Sequence, residues 1–141
     1  MRILDRMQPL ALLVLRLVLG IIMVAHGYSK VFGGLHKHVE FVGSLGLPGW
    51  LAYLSAAAEF LGGIAIILGF FTSCAALAIL IDISIAIWKV HFRNGLRGPG
   101  GYEFPLAIAA IAFALIFFAA GPISIDHILR GGGSSSKAKK A

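Results

Sequence analysis

The fold is decided by residues 10–32, LALLVLRLVLGIIMVAHGYSKVF, an apolar run interrupted by Arg16, His26 and Lys30. As an α-helix, the part from residue 10 to residue 28 is about 28 Å long, which matches the hydrocarbon core of a bilayer. We therefore predict a membrane-spanning helix over residues 10–28. Because a charge inside a span is costly unless it faces protein or water, Arg16 is expected to face a carboxylate from another helix.

Composition supports this class of protein. Of the 141 residues, 59% are hydrophobic and 13% are charged, and the mean hydropathy of +0.93 lies well above that of soluble domains. The first helix is too long for a signal-peptide core and is expected to be retained. Basic residues in a membrane chain set topology and contact anionic lipid headgroups, so the net charge of +6 predicts lipid contact and no nucleic-acid partner.

Three further apolar segments follow, over residues 51–71, 74–92 and 104–121. The second contains Glu59, the third contains Asp82, and the fourth has no charge in its interior. The sequence predicts an all-α integral membrane protein, a four-helix bundle forming a single domain over residues 1–130, followed by a disordered basic tail at 131–141. Four spans place both termini on one side. Six basic residues flank the spans on the side of the termini and five on the other side, which slightly favours termini in the cytoplasm.

Depth along the spans predicts which charges meet. Arg16 and Asp82 both fall roughly 10–14 Å from the terminal side, whereas Glu59 falls roughly 12 Å from the loop side. We therefore expect Arg16 to contact a carboxylate, Asp82 by depth or Glu59 by its position on the second helix. Such a network can fix helix packing, or it can hold a proton or a polar headgroup.

A second group of polar residues lies near the loop side, and together they predict a polar vestibule with Glu59 beneath it. They are His26, Lys30, Lys89, His91 and Glu103. His26 and Lys30 are one helical turn apart and share a face. The candidate polar seam or ligand-binding site comprises Arg16, His26, Lys30, Glu59, Asp82, Lys89 and Glu103.

The histidines and the cysteine limit the possible cofactors. His26 can ligate a metal or hydrogen-bond a quinone carbonyl, but a lone helical histidine is more often simply hydrogen-bonded. His36 and His38, in the first connection, are predicted to be solvated, so no metal site is expected. His91 and His26 lie close to one rim, which does not suit bis-histidine haem. Cys74 is the only cysteine, which excludes an internal dithiol.

Short motifs follow one another in order along residues 10–130. They are Arg16-x₃-Gly20, His26-Gly27-x₂-Lys30, Glu59-x₂-Gly62-Gly63, Leu68-Gly69, Gly101-Tyr102-Glu103, and Gly121-Pro122 followed by Ser124-Ile125-Asp126. In this order and spacing the chain resembles the DoxX family of small four-span membrane proteins.

The resemblance implies a membrane subunit associated with redox metabolism, since relatives include a small subunit of thiosulfate:quinone oxidoreductase. Three hypotheses follow: an accessory subunit that binds a quinone or lipid headgroup in the vestibule, a structural subunit of a larger membrane complex, and a small-solute transporter. We favour the first, in a bacterial inner membrane beside other subunits, with no intrinsic redox cofactor and a quinone as the candidate ligand.

Overall fold

The computed structural model describes residues 1–131, and its regular structure is helical throughout that range. The α-helices are α1 (Arg2–Gly33), α2 (Leu35–Ser44), α3 (Leu51–Leu68), α4 (Thr72–Ala86), α5 (Glu103–Phe118) and α6 (Ile125–Gly131). α4 continues through a π-helical turn, Ile87–His91, and a 3₁₀ turn, Phe92–Asn94. Residues 132–141 of the predicted tail lie outside the described part of the chain.

Within residues 1–131, three helices are long and apolar enough to cross a membrane: Arg2–Gly33, Leu51–Leu68 and Thr72–Asn94. The all-helical fold predicted from the sequence is confirmed. α1 extends beyond the predicted span at both ends, over 32 residues. α5 has 16 residues, so it is about 24 Å long and ends before the predicted boundary at residue 121.

The closest helix contact joins α1 and α3 and depends on glycine. A Cβ atom at Gly63 would lie 2.8 Å from the backbone nitrogen of Val24, and one at Gly20 would lie 2.8 Å from the carbonyl oxygen of Gly63. Gly27 faces the backbone of Phe60 even more closely. Because the backbones approach where side chains are missing, this contact has the small-residue packing typical of membrane helices.

The remaining helices complete a bundle around one core. α4 packs between α3 and α5, α1 also touches α5, and α2 lies across α3. The core cluster includes Leu19 and Met23 of α1, Ile66 of α3, Ile79 of α4 and Leu115 of α5. The outer faces carry large exposed apolar side chains, which suits contact with lipid.

Candidate functional site

Arg16 is fully buried, with 1% of its surface exposed, but it does not contact Asp82 or Glu59. Its guanidinium donates to backbone carbonyls: Ile66 O at 3.0 Å, Ile67 O at 2.9 Å, Ala120 O at 2.9 Å, and Ile123 O. The last carbonyls of a helix lack partners within the helix and carry partial negative charge, so they can satisfy a cation. The predicted contact between Arg16 and either Asp82 or Glu59 is therefore wrong.

Arg16 instead joins the end of α3 to the segment after α5. Gly69, in the left-handed conformation with φ +68°, makes room for the guanidinium, since a Cβ there would lie 2.5 Å from Arg16 Nη2. The Asp126 backbone donates to Gly69 O at 2.9 Å, and the Asp126 carboxylate accepts from Phe71 N at 2.9 Å and Thr72 N at 3.1 Å. We call this structural junction, formed by Arg16, Gly69 and Asp126, the arginine junction.

A cavity of about 570 Å³ lies between α2, α3 and α4, at the end of the bundle opposite the arginine junction, and polar residues contribute to its lining. Its walls are mainly apolar. Leu54 of α3 and Ile81 and Ile85 of α4 lie on the outer, exposed side, and Phe41 and Val42 of α2 cover it. The polar side chains in its lining are Lys30, His38, Ser55, Glu59, Asp82 and Lys89.

An ion pair marks the inner end of this cavity. Lys30 Nζ donates to Glu59 Oε1 at 2.7 Å, and the side chains are 27% and 5% exposed, respectively. Glu59 Oε2 is buried and has no hydrogen-bond partner within residues 1–131. Asp82 lies beside Glu59 and Ser55, so two carboxylates adjoin one lysine. A buried acceptor without a partner is costly, which favours a ligand that donates a hydrogen bond.

His38 is a cavity residue that sequence reasoning missed. α2 folds back against α3, so the ring is partly buried rather than solvated, and in the part of the chain that the structure describes its Nε2 has no hydrogen-bond partner. Burial, and then the charge of Lys30, lowers the pKa of His38 below its usual value near 6.5, and Asp82 opposes this shift. The apolar residues between Val39 and Leu45 were the signal that this segment packs on the bundle.

Besides Arg16, two predicted site residues, His26 and Glu103, lie outside the cavity lining. His26 Nδ1 lies 2.8 Å from the carbonyl oxygen of Ile22 in its own helix, and its ring stacks on Phe104 with centroids 6.3 Å apart. Glu103 is exposed at the start of α5. Lys89 does line the cavity, from the π-helical turn, with its Nζ 4.3 Å from the ring centroid of Trp88.

The donor set of the cavity suits an organic headgroup. The part of the chain that the structure describes contains no cluster of three or more histidine, cysteine, aspartate or glutamate side chains placed to hold a metal ion. A volume of a few hundred Å³, apolar walls and a few convergent polar groups are typical of small-molecule sites. The arrangement can hold an amphiphile with its polar end at Glu59 and its apolar part along α3 and α4.

The fold and the cavity define a helical integral membrane protein. Comparison with known proteins agrees: the sequence model of the DoxX family matches residues 11–92. The chain is 34% identical to "Putative oxidoreductase CatD" of Bacillus subtilis over 103 residues, which cover 73% of this chain and 76% of that protein. It is 32% identical to "Inner membrane protein YqjF" of Escherichia coli over 129 residues, covering 89% and 96%.

"Inner membrane protein YphA" of Escherichia coli is 29% identical over 128 residues, covering 85% of this chain and 91% of that protein. The chain therefore belongs to the DoxX family, as the sequence motifs predicted. No solved structure matches it significantly.

Proposed function

We propose that this chain is an accessory membrane subunit of a redox complex and that its cavity binds the headgroup of a quinone or a lipid. The carrying observation is the cavity itself: about 570 Å³ between α2, α3 and α4, apolar on its outer side and holding the Lys30–Glu59 pair at its inner end. An isoprenoid tail can lie against the apolar walls while the headgroup meets the polar groups.

Two observations support a redox role shared with a partner. One relative carries the name "Putative oxidoreductase CatD", which supports a redox role for this chain. Cys74 is the only cysteine and cannot cycle as an internal dithiol, and in this proposal another subunit supplies or removes the electrons. The exposed, T-stacked rings of Phe113 and Phe117 on α5 give such a subunit an apolar docking face within the bilayer.

The same proposal includes a location. Two relatives are named inner membrane proteins, which supports a bacterial inner membrane for this chain. We place both termini in the cytoplasm, following the small excess of basic residues on that side.

The test is purification of the chain from its native membrane in mild detergent, with and without its co-purifying proteins, followed by assay of quinone reduction or quinol oxidation. We expect turnover only in the fraction that retains a second subunit, and quinone bound to the chain in both fractions. Sustained turnover by the isolated chain would refute the accessory role. Solute flux in liposomes without quinone binding would favour a transporter, and co-purification without quinone binding would favour a structural subunit.

A matched pair of variants connects this assay to the cavity. Ala58→Phe places a ring in the cavity lining and is expected to abolish quinone binding. Ala25→Phe makes the same change at an exposed position of α1, outside the cavity lining and on a different helix from Phe113 and Phe117, and should bind quinone like wild type. Equal quinone binding by both variants would show that the cavity is not the quinone site.

A further inference from the structure

The charges that line the cavity balance one another. Lys30 and Lys89 contribute two formal positive charges and Glu59 and Asp82 two formal negative charges, while burial and the charge of Lys30 lower the pKa of His38 and so favour its neutral form. A cation would meet both lysines and an anion would meet both carboxylates in a largely apolar space, where unbalanced charge is costly. The lining therefore favours an uncharged headgroup.

At its inner end, the cavity offers unused acceptor capacity. Glu59 Oε1 already accepts from Lys30, but Oε2 has no hydrogen-bond partner among the described residues although the side chain is only 5% exposed. Asp82 adds a second carboxylate beside it. An ionised carboxylate can only accept hydrogen bonds, so a ligand carbonyl placed there would meet lone pairs, whereas a hydroxyl would donate a charge-assisted bond.

On α2, the cavity offers a second unpartnered atom. Over residues 1–131, His38 Nε2 is buried without a hydrogen-bond partner. A neutral imidazole nitrogen is a donor or an acceptor according to its tautomer. A hydroxyl can serve either tautomer, whereas a carbonyl can serve only one. Both unpartnered atoms are therefore compatible with a headgroup that carries hydroxyl groups.

From these observations we infer that the cavity binds the reduced form of a quinone, the quinol, more tightly than the oxidised form. The inference rests on the proposed function and specifies the redox form of its ligand. The quinol donates a hydroxyl hydrogen to Glu59 or Asp82, and its tail leaves past Leu54 and Ile81, which are 58% and 53% exposed on the outer side.

The experiment measures binding of decylubiquinone and of decylubiquinol to the full chain in lipid nanodiscs, anaerobically, by titration calorimetry with empty nanodiscs subtracted. Because one charge-assisted hydrogen bond separates the two ligands, we expect the quinol to bind at least about tenfold more tightly. Glu59→Gln provides an amide that also donates, so it should reduce this ratio to about one, mainly by weakening the quinol.

Glu59→Gln also leaves Lys30 without its ion-pair partner, so Asp82→Asn is measured as a second variant and should reduce the ratio several-fold. Glu40→Gln is the matched control, since Glu40 is exposed on α2 outside the cavity lining and the ratio should stay at its wild-type value.

Equal affinity for the two ligands, or tighter binding of the quinone, would overturn the inference and leave the proposed function standing. A wild-type preference that survives in both Glu59→Gln and Asp82→Asn would overturn the carboxylate anchor. Binding of neither ligand above empty nanodiscs would instead refute the quinone site of the proposed function, and the inference with it.

Discussion

Replacement of Arg16 by methionine should destabilise the bundle strongly. The guanidinium donates to four backbone carbonyls, Ile66 O, Ile67 O, Ala120 O and Ile123 O, and Arg16→Met leaves all of them without this donor. Hydrogen bonds between membrane helices average about 0.6 kcal/mol and reach about 1.7 kcal/mol. Four such bonds give about 2.4–7 kcal/mol, and removal of a buried charge offsets part of this, so we expect a loss of about 3 kcal/mol.

The assay is reversible unfolding in mixed micelles by titration with a denaturing detergent, followed by helical circular dichroism. Arg16→Lys keeps the charge but replaces the planar fork by three donors at one nitrogen, so it should lose about half as much. Arg6→Met is the control, because Arg6 is an exposed arginine of the same helix. If the unfolding free energy of Arg16→Met fell within about 0.5 kcal/mol of the wild-type value, the arginine junction would not be a stabilising element.

Three other changes test the structure around this framework. Gly69→Ala should cost at least about 1–2 kcal/mol in the same unfolding assay, because φ is +68° and the new Cβ would meet the buried guanidinium; Gly43→Ala, with open space around it, should not destabilise. The lowered pKa of His38 means that its neutral form is favoured in the folded state, so the stability of the wild type should fall as the pH drops below about 6.5. This loss of stability should be smaller in His38→Gln and the same as wild type in His36→Gln. Burial raises the pKa of Asp126, but hydrogen bonds from the amides at the start of α4 lower it by more, so the net pKa lies below its usual value of 3.8. Asp126→Asn should therefore lose about 1 kcal/mol of unfolding free energy at pH 7. The difference from wild type should disappear as the pH falls through the lowered pKa. The His38 assignment would be contradicted if the stability of His38→Gln fell between pH 6.5 and 5 as steeply as that of the wild type. Full stability of Asp126→Asn at pH 7 would contradict the Asp126 assignment.

Hydropathy was sufficient to predict the helical class. Helix rise predicted that Lys30 lies near the loop side with Glu59 beneath it, and in the structure these two side chains form an ion pair. Depth does not specify rotation about the helix axis. His26 therefore shares the depth of Lys30 but faces Phe104, and Glu103 is exposed.

The Arg16 prediction failed for a different physical reason. It assumed that a buried guanidinium needs an anion, whereas the ends of α3 and the segment after α5 present enough carbonyls to satisfy it. The sequence does not show that two chain segments, 50 and 104 residues after Arg16, meet at the Arg16 side chain. His38 was missed because a polar connection was expected to be solvated, although its apolar residues pack on α3.

Photoaffinity labelling tests most directly whether the cavity between α2, α3 and α4 holds the ligand. The full chain in nanodiscs is irradiated with a diazirine-bearing short-chain quinol, and the labelled peptides are mapped by mass spectrometry. We predict labelling of the cavity-lining segments 54–62 and 81–90, with competition by excess unlabelled quinol and loss in Ala58→Phe. Labelling that concentrates on the exposed face of α5 around Phe113 and Phe117 and resists competition would contradict a ligand site in the cavity.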